Sequence, residues 1–80
     1  MTIETTWLRF VLAPEQNPKT SVHLVLAKDG DAELGQVRWF GRWRRYAFFP
    51  AIGTIYEPTC LRDIADFCER QTLSHKAVKA

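Results

Sequence analysis

The sequence predicts an α+β domain, a four-stranded antiparallel meander with one C-terminal helix packed on one face. Three observations carry this expectation. Runs of alternating apolar and polar residues recur between glycine-bearing turns, two deduced hairpin registers agree on which face is apolar, and a stripe with three- and four-residue spacing follows Pro58. A chain of 80 residues holds one domain, 1–80, near the lower size limit for a core without staples. Hydrophobic residues at 46% and charged residues at 25% are ordinary globular values and exclude a disordered chain. The ordered core is expected over about residues 6–72, with a frayed basic tail at 73–80.

In chain order, residues 1–5 carry no pattern. Residues 6–13 alternate Trp7, Arg9, Val11 against Leu8, Phe10, Leu12, which predicts a strand. Residues 13–20, with Pro14, Asn17 and Pro18, read as a loop, because proline removes the donors that a central strand needs. Residues 21–27 form the second strand, with Val22, Leu24 and Leu26 on one side and His23 and Val25 on the other. A two-residue turn at Asp29-Gly30 would set Leu26 opposite Glu33, Leu24 opposite Gly35 and Val22 opposite Val37.

Residues 35–50 pack four arginines and six aromatic residues into one alternating run. With Gly41-Arg42 as a two-residue turn, Phe40 faces Trp43, Arg38 faces Arg45 and Val37 faces Tyr46. One face then carries Gly35, Val37, Trp39, Arg44, Tyr46 and Phe48, and it coincides with the face bearing Val22, Leu24 and Leu26. The predicted core is therefore Leu24, Val37, Trp39, Tyr46, Phe48, Leu61, Ile64 and Phe67. The other face carries Gln36, Arg38, Phe40, Trp43, Arg45, Ala47 and Phe49, with His23 beside Gln36. A short extended piece at Thr54-Ile55-Tyr56 leads to Pro58, which suits a first helical turn, and Cys60, Leu61, Ile64, Phe67 and Cys68 then form the apolar stripe of a helix of about three turns.

Chemistry is sparse. His23 and His75 are the only imidazoles, and neither has an orienting partner in the sequence; Cys60, Cys68 and the histidines lack the paired spacing of a structural zinc site, so no metal and no cofactor are expected. Cys60 and Cys68, about 12 Å apart on one helix, are too distant to bridge and predict free thiols in a reducing, cytoplasmic setting. No basic and apolar leader and no run near the ~20 residues of a membrane span is present, so no membrane partner is expected. Four of the eleven Lys and Arg lie between residues 38 and 45, although the net charge is only +2. Arginines interleaved with exposed rings suit an anionic partner, because guanidinium groups meet phosphates while rings stack on bases.

The run Leu34-Gly35-x-Val37-x-Trp39-Phe40-x-x-Trp43-Arg44-x-Tyr46-x-Phe48-x-Pro50, followed by Gly53-Thr54 and by Cys60-Leu61-x-x-Ile64, resembles a set of small uncharacterised proteins found in phages, prophages and bacterial genomes. The resemblance covers roughly residues 22–70 and implies a phage-type accessory protein, a host-takeover or anti-defence factor. Similar sequences often carry proline or alanine at the position of Arg42 and glutamine at that of Arg45, which implies that a face needing both arginines is particular to this chain. Arg44 is expected beside Trp39, stacked on that ring or paired with Asp63 or Asp66.

The sequence thus points to a non-enzymatic binding protein. Its candidate binding residues are Arg38, Phe40, Arg42, Trp43 and Arg45, with Trp7 and Arg9 as possible additions. The partner is expected to be nucleic acid or a nucleotide; the alternative is a host protein, or a second copy of the chain as a homodimer, docked on the same aromatic face.

Overall fold

The computed structural model describes residues 2–14 and 20–79. Its strands, β1 (Thr2–Glu4), β2 (Leu8–Leu12), β3 (Val22–Ala27), β4 (Glu33–Phe40) and β5 (Arg45–Pro50), form one antiparallel sheet in chain order, and α1 (Pro58–Lys79) lies across one face. The α+β class holds, but the sheet has five strands where the sequence predicts four. The additional strand, β1, pairs Thr2, Ile3 and Glu4 with Val11, Phe10 and Arg9. The predicted loop at 13–20 falls mostly on residues 15–19, including Asn17 and Pro18, which lie outside the described residues.

Both long hairpins close through four-residue loops, not two-residue turns. In each, the amide of the last loop residue donates to the carbonyl of the residue before the loop, Asp31 N–H to Ala27 at 2.9 Å and Arg44 N–H to Phe40 at 3.0 Å. The same two residues take left-handed backbone angles, φ 58° at Asp31 and 55° at Arg44. Positive φ is thus needed at the fourth loop position, and Gly41 does not supply it. The longer loop shifts the β4–β5 register by two, so that Arg38 faces Ala47, Phe40 faces Arg45, Val37 faces Phe48 and Trp39 faces Tyr46. Side chains alternate with period two, so this slip leaves every strand residue on its predicted face. It does remove the predicted opposition of Arg38 and Arg45, and with it the repulsion that pairing would have cost.

The β3–β4 pairing departs by one residue, with the opposite consequence. Leu26 faces Glu33 as predicted, but a bulge at Leu34 then sets Val25 opposite Gly35, Leu24 opposite Gln36 and Val22 opposite Arg38. A one-residue shift turns the strand over. His23 and Val25 consequently face the helix, and Val22, Leu24 and Leu26 face away from it. The bulge is pinned by its own carbonyl, since Leu34 O accepts from Ala51 N–H at 2.9 Å and from Tyr56 Oη at 2.6 Å.

The core is Leu8, Phe10, Val25, Val37, Tyr46, Ile64 and Phe67, with Leu34, Trp39, Phe48, Tyr56, Cys60 and Cys68 packed around it. Leu24 leaves the predicted core because the bulge inverts β3; Leu61 leaves it because it lies on the outer side of α1, 50% exposed. Phe10 and Phe67 stack at 4.2 Å, and His23 meets Phe67 edge-on at 4.9 Å. Its Nδ1 is buried with no hydrogen-bond partner among the described residues, and burial lowers the His23 pKa.

The helix begins where Pro58 predicts, with Glu57 as its cap: Glu57 Oε1 accepts the Cys60 N–H at 2.7 Å. It does not stop at residue 72. It runs 22 residues to Lys79, so the predicted frayed tail is helical as far as Lys79, and His75 packs on Trp39 at 4.3 Å. Thr72 Oγ1 accepts the Tyr46 N–H at 2.9 Å, so the helix supplies a partner for an amide of edge strand β5. The predicted extended piece at Thr54-Ile55-Tyr56 joins no strand pair.

Candidate binding face

With α1 on one side, no described element crosses the other face of the sheet. Alternation places Val22, Leu24, Leu26, Gln36, Arg38, Phe40, Arg45, Ala47 and Phe49 there. Arg38 lays its guanidinium over the Phe49 ring, 4.0 Å from the centroid. Phe40 meets Phe49 at 6.0 Å and Trp43 at 4.7 Å, both edge to face. These contacts make a continuous aromatic ridge from β5 to the hairpin tip, and Trp43 ends it with 61% of its surface exposed.

Of the five predicted binding residues, Arg38, Phe40, Trp43 and Arg45 gather on this ridge or at its margin. Arg42 is exposed in the loop at the tip. Phe49 belongs with them, and its signal was present: it stands two positions beyond Ala47 on the same alternating face. Trp7 and Arg9 do not join. Trp7 is exposed ahead of β2, and Arg9 is committed to Glu4 at 3.0 Å and to Asp31.

Charge is divided along the strands. The ion pairs among the described residues, Arg9–Glu4, Arg9–Asp31 and Lys28–Glu4, all sit at the end of the sheet near the β3–β4 loop. Arg38, Arg42, Arg44 and Arg45, at the opposite end, have no carboxylate within ion-pairing distance among the described residues. Arg44 makes none of its predicted pairings with Asp63 or Asp66, which lie with Arg70 near Ile3 at the far side of the helix. Instead it borders a cavity of about 300 Å³ with Trp39, His75 and Lys76.

Cys60 and Cys68 are free, and burial pushes the Cys68 thiol up to about 11 and raises that of Cys60. Among the described residues no three His, Cys, Asp or Glu side chains are grouped to hold a metal ion, and no helix is long and apolar enough to cross a membrane.

No protein-family model and no solved structure matches the chain. A relative does: the "Uncharacterized 9.3 kDa protein" of Acholeplasma phage L2 is 35% identical over 63 residues, which span 79% of this chain and 81% of the phage protein. That identity over about four fifths of both chains agrees with the phage-type resemblance read from the sequence. The chain belongs to the same family as this small phage protein.

Proposed function

We propose that the chain is a non-enzymatic binding protein, a phage-type accessory factor, which holds single-stranded nucleic acid on the open sheet face through Arg38, Phe40, Arg42, Trp43 and Arg45. The observation that carries this reading is the concentration, around an exposed aromatic ridge, of arginines that have no carboxylate partner among the described residues, while Arg9 and Lys28 at the other end of the sheet are paired. Exposed rings stack on bases of any sequence for about 1–3 kcal/mol each, and guanidinium groups answer the phosphates. Free thiols at Cys60 and Cys68 suit work in a reducing, cytoplasmic compartment.

The test is a titration of a short oligo-dT read by tryptophan emission, to which the exposed Trp43 contributes. Three arginine–phosphate contacts predict quenching whose affinity falls with a log–log salt slope of roughly −2, at about −0.7 per contact on a single strand. Arg38→Gln with Arg45→Gln should remove two contacts and reduce the slope to roughly −0.7 without unfolding the protein. An unchanged slope in that variant, or no quenching at low salt, rejects the reading.

A second reading, docking of a host protein or a second copy, is favoured by Val11, Leu24 and Leu26, which lie half-buried across the middle of the same face. Such an interface would be only weakly sensitive to salt, and self-association would appear in sedimentation as a mass that rises with concentration.

A further inference from the structure

The helix side of the hairpin tip carries a second cluster that neither the open face nor the core accounts for. Trp39, Arg44, His75 and Lys76 line the cavity of about 300 Å³ there, and none of the four is a carboxylate. His75 lies against the Trp39 ring at 4.3 Å and reaches Tyr46 at 6.2 Å, so the imidazole is held in place by packing. Arg44 is fixed from the other direction. Its amide donates to Phe40 O and Gly41 O, and its backbone takes φ 55°, a conformation in which glycine or asparagine is less strained. An arginine held at such a position, and lining a cavity with a lysine, is not explained by the loop's own needs.

We propose that this cavity binds phosphate, with Arg44 and Lys76 as its charged donors, His75 as a further donor and the Trp39 edge as its floor. The partial negative charge at the end of α1, about half an electron, opposes an anion but is outweighed by two full positive charges. The cavity stands on its own residues; that its phosphate belongs to a nucleic-acid strand passing round the tip from the open face rests on the function proposed above.

The probe is inorganic pyrophosphate at constant ionic strength, added to the full chain carrying Trp7→Phe and Trp43→Phe. Both replaced residues are largely exposed, and Trp39 remains as the sole tryptophan. Saturable change in Trp39 emission, with matching shifts of the His75 ring protons, is expected. Arg44→Gly in that background should weaken binding at least about tenfold, the loss expected from one charge-assisted contact, while keeping or raising the melting temperature because glycine suits the left-handed angle. Arg44→Lys should keep part of the affinity.

Trp39 emission that ignores pyrophosphate, or an Arg44→Gly variant that binds like its parent, overturns the proposal. Oligo-dT titration of the unmodified chain separates the two readings. Quenching of its total tryptophan emission by oligo-dT, without a pyrophosphate response at Trp39 in the double variant, removes the cavity alone, whereas a pyrophosphate response without oligo-dT binding upholds the anion site and removes the nucleic-acid strand.

Discussion

Replacing Gly35 by alanine tests the feature that decides which side of the sheet is core. A Cβ at this position would stand 2.4 Å from the Phe49 carbonyl oxygen and 2.8 and 2.9 Å from two Phe48 ring carbons, where ordinary contact is 3.4–4 Å. The ring can turn aside; the carbonyl cannot, because β5 is held to β4 through Gly35↔Pro50 and Gln36↔Phe49. Relief therefore requires a backbone shift of about 1 Å, and overpacking of this kind costs about 3 kcal/mol at the upper end of its usual range. At ~4–8 °C per kcal/mol for a domain of this size, the melting temperature should fall by roughly 12–24 °C. Circular dichroism melting of Gly35→Ala, with and without Phe48→Leu, is the assay. The double variant removes the ring contact and leaves the carbonyl one, so Gly35→Ala should remain destabilising in the Phe48→Leu background. A Gly35→Ala protein that melts within roughly 2 °C of the parent would mean that β4 does not approach β5 as described, and would refute the bulged register.

Two further outcomes follow from groups on the helix side. Burial lowers the His23 pKa from its ordinary 6.5, so as pH falls the unfolded chain takes up that proton before the folded one. This contribution to stability is complete above 6.5 and declines below it until the folded-state pKa is reached; urea titrations across the window should show the loss. His23→Leu should remove this pH dependence and, by deleting an unpartnered buried nitrogen, should not destabilise at neutral pH; an unchanged pH profile would contradict the placement. Cys60 and Cys68 should both take an alkylating label under denaturing, non-reducing conditions, while native Cys68 reacts slowly at pH 8 because its thiol titrates near 11. Rapid native labelling of Cys68 would show that its side of α1 is not packed against the sheet.

The legible and illegible parts of this fold separate by periodicity. Helix onset at Pro58 and the burial of Ile64 and Phe67 follow from three- and four-residue spacing. The faces of the β4–β5 hairpin follow from alternation, which survives a slip of two. Alternation does not reveal the bulge at Leu34, and because the bulge shifts pairing by one it places Val25 in the core, turns half-buried His23 toward the helix and turns Val22, Leu24 and Leu26 away. An isolated glycine inside a strand pattern is a known mark of such an irregularity, and Gly35 was that mark. Strand β1 offered only Thr2, Ile3 and Glu4, too few residues to show a period. The Arg44–His75 cavity depends on α1 continuing past Thr72, where the apolar stripe ends and packing of His75 on Trp39 takes over.

Strand order that repeats chain order has a consequence for synthesis. Each strand of this sheet pairs with the one made just before it, so the meander can zip up sequentially with no wait for a distant partner. The helix, however, follows all five strands. At roughly 5–20 residues per second, the thirty residues after Pro50 take about 1.5–6 s to appear, and until then Leu8, Phe10, Val25 and Val37 have no helix over them. A nascent chain cut off before Pro58 would present two uncovered faces in place of one. A released chain truncated after residue 57 should therefore bind a hydrophobic dye strongly, and that signal should be lost in the chain that carries Ile64 and Phe67.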